Sequence, residues 1–410
     1  MTRVEAPAVR RLADWSASDL RGLAAEYGTP LYVQDLDRVR ENYDRLAAAF
    51  PDADVHYAVK ANASRAVLGA LREAGASAEC ASAGEVHRAL DAGYEADEIH
   101  YTAVNPPERD LDYVLDAAPE ATFVVGARDT IDRLDERGFD GRLAVRVHPG
   151  VGAGHSDEVA TGADAKFGVP HDRAVDVLRR ADARGFDVVG VHAHVGSGML
   201  SESDVAAHRE VVERLAEVAR EAPVELEFVD VGGGFGVPYR PDEDALDLDA
   251  VADATRDALA DVDAELVVEP GRFFVADAGV LLTEVNTVKR TDGPTLAGVD
   301  AGMTTLLRPA LYGAHHEVRA LARDAHDRPA RTVTVVGPIC ESTDVLAERR
   351  RLPRPERGDL LAVGNAGAYG VEMASQYNSR PRPAVAVLDG GDDRLARERD
   401  SLTDLTTPER

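Results

Sequence analysis

The feature that most restricts the fold of this chain is an alternation. Strand-like runs recur at Val55–Lys60, Ser77–Cys80, Glu98–Tyr101, Thr122–Val125, Leu143–Val147, Val188–His194, Glu225–Val231 and Glu265–Glu269. Between them lie segments with apolar residues three and four apart, such as Ala83–Ala92 and Ser203–Ala219. Eight strands alternating with helices is what a closed parallel barrel requires. The expected fold is therefore α/β, with a (β/α)8 TIM-type barrel over 36–275. Beyond it the texture changes. Val280–Val288, Thr295–Val299, Thr332–Val336, Leu360–Val363 and Ala384–Leu388 read as strands separated by Gly, Pro and Asp turns, with little helix. A mainly β domain over 276–390 is expected, joined by residues 1–35 through a short strand at Pro30–Val33. Residues 1 to about 15 read as poorly structured, and the charged stretch 391–410 as a flexible tail.

At 410 residues, two domains are the natural division. A net charge of −28 argues against nucleic acid and anionic membranes as partners. Acidic residues spread throughout, with lysine almost absent, fit adaptation to high salt, where the Debye length is about 3 Å. No apolar run is long enough to span a bilayer, and no secretory signal is apparent. Two cysteines far apart, Cys80 and Cys340, give neither a disulfide framework nor a multi-cysteine metal site. A cytoplasmic location is expected.

Lysine usage singles out one residue. Of 46 basic residues only Lys60, Lys166 and Lys289 are lysine. Arginine stays charged, whereas a desolvated lysine amine can attack a carbonyl as a Schiff-base nucleophile. Lys60, in Tyr57-Ala58-Val59-Lys60-Ala61-Asn62, would stand at the mouth of the first barrel strand. A lone strand-end lysine is ordinarily solvated, so the neighbouring motifs decide.

Three motifs fall at inferred strand ends, where barrel enzymes build their sites. His192-Ala193-His194-Val195-Gly196-Ser197 offers an imidazole for stacking on a ring and a hydroxyl for a phosphate. Its two histidines also suggest a metal pair, but no third ligand has a recognisable spacing, so no metal is expected. Gly232-Gly233-Gly234-Phe235-Gly236 suits a nest of backbone N–H groups around an anion. It is not a dinucleotide fingerprint, since Val237 stands where the last glycine belongs. Glu269-Pro270-Gly271-Arg272 places a carboxylate at a strand end. Such a group needs a cationic partner, either Arg272 itself or a pyridinium N–H.

Together these residues resemble the barrel-type pyridoxal-phosphate decarboxylases, the family of diaminopimelate, ornithine and arginine decarboxylases. The resemblance extends through Arg308-Pro309-Ala310-Leu311-Tyr312, Gly337-Pro338-Ile339-Cys340-Glu341-Ser342, Gly367-Ala368-Tyr369-Gly370 and Tyr377-Asn378-Ser379-Arg380-Pro381. It implies a two-domain architecture like that of alanine racemase, with pyridoxal 5'-phosphate bound. It implies that Lys60 holds the cofactor as a Schiff base, that His194 stacks on its ring, and that Glu269 pairs with the ring nitrogen. Ser197, Gly233, Gly234, Gly271, Arg272 and Tyr369 would lie around the phosphate or ring. Arg272, Arg308 and Tyr312 would grip a distal carboxylate, with Glu341 near a distal ammonium and Tyr369 also beside the substrate. Cys340 and Glu341 would enter from a second subunit of a homodimer, with Cys340 or Lys60 as proton donor. The Arg-Pro-x-Leu-Tyr and Cys-Glu-Ser motifs look most like the diaminopimelate branch, which implies formation of lysine with loss of carbon dioxide. The alternatives are an ornithine, arginine or carboxynorspermidine decarboxylase, or a non-catalytic cofactor-binding relative. Departures from the branch pattern are Gly198, Thr304-Thr305, Thr343 and Gln376.

Overall fold

A computed structural model describes residues 8–150, 153–154 and 167–409. The chain divides into two compact units. One comprises residues 42–237 and 245–273; the other joins the N-terminal segment to 41, the loop 238–244, and the chain from 274 onward.

The first unit is a closed eight-stranded parallel barrel. Its strands, in chain order, are Ala53–Ala58, Ser77–Cys80, Ile99–Tyr101, Thr122–Val125, Arg142–His148, Asp187–His192, Phe228–Asp230 and Glu265–Val268. Each pairs with its neighbours in sequence, and the eighth pairs back to the first, Val267 opposite Asp54. All eight expected strands are present. They were readable because parallel strands are covered on both faces and so carry near-continuous apolar runs. Val124, Ala144, Val189, Phe228 and Val267 cluster as one buried group. Helices after the strands start at defined points because their first residues are capped. Ser64 accepts from Val67 N, Ser82 from Glu85 N, and Ser201 forms a capping box with Asp204. Each cap frees the preceding strand end to carry a functional side chain.

Two outer helices, Glu202–Arg220 and Leu248–Leu259, are joined by a buried polar contact. Thr255 Oγ1 donates to Val251 O (2.7 Å), so His208 Nε2 must donate to Thr255 Oγ1 (2.8 Å) as a neutral imidazole. Burial pushes its pKa down to about 4. The unfolded chain, with an ordinary histidine near 6.5, binds the extra proton between those two values. Stability is thus complete above pH about 6.5 and declines as the pH falls toward 4, by up to about 3 kcal/mol from this group. Urea unfolding between pH 7 and 4.5 should show this slope, and His208→Gln, whose amide can donate the same bond, should flatten it.

In the second unit the long strand Gly279–Lys289 is central. It pairs antiparallel with Leu31–Asp35 on one side and Leu360–Val363 on the other, and further along, at Val285–Lys289, with Thr295–Val299. Leu31–Asp35 pairs parallel with Ala384–Asp389, so the earliest strand lies within this sheet. Three strands were not anticipated: Val318–Ala320, Val345–Pro353 and Asp392–Arg397. The last lies in the stretch expected to be a flexible tail, and pairs antiparallel with Ala384–Asp389. Its side chains are almost all exposed, so no apolar alternation announces it. What holds the chain beyond it is charge. The Asp400 carboxylate accepts from Arg382 Nε (2.8 Å), Arg397 Nη2 (2.8 Å) and Gln376 Nε2 (3.0 Å). The N-terminal expectation also differs where the chain is described. Leu12 and Trp15 are buried in an apolar cluster with Leu20, Leu31 and Val280. Arg10 lies over the Trp15 ring at 3.9 Å and pairs with Asp35. Residues 1–7 fall outside the described chain.

Candidate active site

Side chains at the C-terminal ends of the barrel strands form one cluster. Lys60 sits in a single 3-10 turn, Val59–Ala61, immediately after the first strand. Tyr57 Oη donates to Asn62 O (3.0 Å) and ties this turn to its strand. Lys60 Nζ donates to Glu79 Oε2 at 2.7 Å, from the end of the second strand. Glu79 is buried and its other oxygen accepts a short hydrogen bond from Thr102 Oγ1. The amine of Lys60 therefore has a carboxylate within proton-transfer reach.

On the other neighbour of the first strand, Glu269 follows the eighth strand. It is buried, and its Oε2 accepts from His192 Nε2 at 3.1 Å. Its Oε1 is buried with no hydrogen-bond partner among the described residues. Burial alone would raise the Glu269 pKa, but the His192 contact and the charge of Lys60 hold it well below the usual carboxylate range. A buried, ionised carboxylate with one unsatisfied oxygen is costly unless a donor arrives to meet it. His194 is kept neutral, its pKa pushed down to about 3 by burial and by the cations Lys60 and Arg146. Gly233 N donates to His194 Nδ1 (3.2 Å).

The glycine run is required by close approach. A Cβ on Gly233 would lie 2.2 Å from the Glu269 carbonyl oxygen, and one on Gly271 would lie 2.9 Å from Ala58 Cβ. Gly234 has φ +98°, a conformation that L side chains rarely adopt. Arg272 Nη2 donates to Ser197 Oγ at 3.0 Å, bringing a guanidinium and a hydroxyl together beside these glycines. The expected barrel residues Lys60, His194, Ser197, Gly233, Gly234, Glu269, Gly271 and Arg272 thus belong to one unit and one end of it. Sequence reasoning passed over Glu79, Arg146 and Asp230. Each is a single charged letter inside or at the end of an apolar strand, which was the available signal.

The second unit carries the other expected residues. Arg308, in the short helix Arg308–Tyr312, is buried and donates through Nη1 to His316 Nε2 (3.1 Å). His316 Nδ1 in turn donates to Gly364 O (2.9 Å), and the guanidinium lies 4.7 Å above the Tyr239 ring. Tyr312 is half-buried four residues on, and Tyr369 adopts φ +54°. Cys340 and Glu341 are exposed on a loop organised from behind by Asp344, which accepts from Met303 N (2.5 Å) and Ile339 N (2.7 Å). Cys340 N donates to Asn378 Oδ1 (3.3 Å), and Tyr377 Oη makes a short hydrogen bond to Glu341. The departures from the branch pattern have local roles here. Gln376 serves Asp400, and the carbonyls of Thr304 and Thr305 accept from Ser375 N and Tyr32 Oη.

These groups fit pyridoxal phosphate. A buried carboxylate with an unmet oxygen suits a protonated ring nitrogen, the glycine cradle leaves space only backbone can line, and Lys60 is a lysine amine beside a base. Comparison with known proteins agrees. Residues 36–276 match the model of the pyridoxal-dependent decarboxylase, pyridoxal binding domain. The diaminopimelate decarboxylase of Methanothermobacter thermautotrophicus is 43% identical, with 95% of this chain and 93% of that protein aligned. That of Escherichia coli K12 is 35% identical, over 96% of each. The crystal structure of diaminopimelate decarboxylase from Helicobacter pylori complexed with L-lysine superposes with a TM-score of 0.89 at 31% identity, covering 95% of this chain and 99% of that one. The chain belongs to the pyridoxal-dependent decarboxylases, and within them to the diaminopimelate decarboxylase family.

Proposed function

We propose that this protein removes one carboxylate of meso-2,6-diaminopimelate to give L-lysine and carbon dioxide, the last step of lysine formation. The observation that carries the reading is the pairing of Lys60 with Glu79, with the half-satisfied Glu269 carboxylate on the adjacent eighth strand. The named relatives and Arg308 point to the substrate.

Pyridoxal phosphate, when bound, supplies an electron sink for the pair left by the departing carboxylate. The residues do the rest. Lys60 Nζ gives its proton to Glu79 Oε2 and so becomes the nucleophilic amine that holds the cofactor. Glu269 keeps the ring nitrogen protonated, and His194 packs against the ring as a neutral imidazole. Ser197, Arg272 and the N–H groups of Gly233 and Gly234 serve the phosphate, with Gly271 and Tyr369 shaping its surroundings. Arg308, Arg272 and Tyr312 hold the spectator carboxylate, while Glu341 meets the distal ammonium. The leaving carboxylate receives no such clamp, because stabilising it in the ground state would slow its loss. Cys340 Sγ or Lys60 Nζ then returns one proton to Cα. Carbon dioxide release from diaminopimelate, ornithine and arginine, measured side by side, tests the reading. Preference for ornithine would overturn the substrate while leaving the cofactor assignment.

The working form in this reading is a homodimer in the cytoplasm, and the high acidic charge is an adaptation to salt. Exposure of Cys340, Glu341, Leu311 and Tyr377 on the second unit supports a surface covered by a neighbour. If Cys340 and Glu341 complete the neighbour's site, mixing inactive Lys60→Ala chains with inactive Cys340→Ala chains should restore activity. About half of each heterodimer's sites would then be intact. No recovery after verified subunit exchange would put both residues in one chain's site.

A further inference from the structure

The barrel interior beneath Glu269 holds more ionisable groups than the proposed reaction uses. One carboxylate oxygen of Asp230, one of Glu269 and a ring nitrogen of His100 lie within 4.8 Å of one another, and all three residues are buried. Two bare carboxylates this close, away from water, cannot both be ionised. Which one keeps its charge is decided by donors. Glu269 receives the His192 Nε2–H, as a carboxylate only accepts. Asp230 receives only the Gly232 N–H, at 2.8 Å on Oδ1; its Oδ2 has no hydrogen-bond partner among the described residues, with His100 Nδ1 too far at 3.8 Å.

We infer that Asp230 is held as a neutral carboxylic acid, and that Asp230 and His192 are positioning residues for Glu269. His192 fixes Oε2, and the proton on Asp230 leaves Glu269 as the negative member of the pair. The purpose of this arrangement rests on the reading of Glu269 as the ring-nitrogen partner; the protonation of Asp230 does not.

Among the surrounding groups Arg146, a cation that acts on both carboxylates, acts on Glu269 more strongly than on Asp230 and so keeps the ionised form on Glu269. The first strand contributes His56 and, past its end, Lys60; the second Glu79; the third His100; the fifth Arg146; the sixth His192, with His194 beyond. His56 and His100 have ring centroids 4.0 Å apart, and burial takes His56 down to about 4 and His100 well below the ordinary value. Neither therefore brings a positive charge to Asp230. Burial and the neighbouring Glu269 push the Asp230 carboxyl well above the usual range. Lys60 lies on the Glu269 side of the balance, lowering that group.

Infrared spectroscopy of the apoenzyme at neutral pH tests the first part. A carboxylic-acid carbonyl band should be present in the parent, absent in Asp230→Asn and retained in Glu79→Gln. Absence from the parent, survival in Asp230→Asn, or a stoichiometric divalent metal that Asp230→Asn loses would each overturn it. For His192, holoenzyme carrying ring-15N cofactor should show a protonated nitrogen. His192→Phe should move that shift toward the unprotonated value and lower kcat on the order of 10- to 100-fold, the scale for losing an outer partner of a functional group. KM should hold, and His192→Gln should restore both shift and rate. An unchanged 15N shift in His192→Phe would reduce His192 to packing. An unprotonated nitrogen in the parent would instead overturn the Glu269 reading, leaving the infrared result standing.

Discussion

Replacing Lys60 with alanine should lower diaminopimelate turnover by at least the order of 1,000-fold, the scale for losing a residue that serves in both covalent and proton-transfer roles. Borohydride should fix the cofactor to the Lys60 peptide in the parent and to no peptide in the variant. Label on Lys289, or on Lys166 (outside the described residues), would sink the assignment. Removing the ammonium also leaves the buried Glu79 with Thr102 as its one hydrogen-bond donor among the described residues, so some stability is lost with the activity. The double variant Lys60→Ala/Glu79→Gln separates the two. It should regain thermal stability relative to the single variant and remain inactive.

Arg308→Ala should cost roughly 2–5 kcal/mol in kcat/KM for diaminopimelate, the range for breaking a buried, hydrogen-bonded charge pair. That is roughly 30- to 5,000-fold. The guanidinium is pre-oriented by His316 and the Tyr239 ring, so little conformational freedom remains to be lost on binding. A substrate with a cationic far end would meet a like charge there, which disfavours ornithine. Cofactor absorbance should survive the substitution. If the variant turns over diaminopimelate normally, Arg308 is not the substrate clamp.

What could be read from the sequence follows from what each element is held by. The barrel strands were legible because both faces are covered, so each is an apolar run with a motif at its end. Lys60, His194, Glu269 and the glycines were legible because strand ends are where such a barrel presents chemistry. The His192–Glu269–Asp230–His100 group was not. Its members come from the third, sixth, seventh and eighth strands, and only the closed register brings them within a few ångströms. Asp392–Arg397 was missed for the opposite reason. An exposed edge strand held by backbone pairing, followed by a carboxylate serving two arginines, has the composition of a disordered tail. Charged residues paired with one another look, in sequence, like charged residues paired with water.

The two cysteines occupy opposite extremes: Cys80 is fully enclosed within the barrel and Cys340 stands exposed on its loop. The chain thus carries its own gauge of assembly. A thiol reagent under native conditions should modify one sulfur per free chain, with the second released only on unfolding. In a dimer that uses Cys340, the first count should fall as protein concentration rises and recover on dilution, so thiol counting would follow association without any added probe. In such a dimer dissociation would be hazardous, because the thiol that separation uncovers would be the one most open to oxidation. For such an enzyme, staying assembled would also be how it stays reduced.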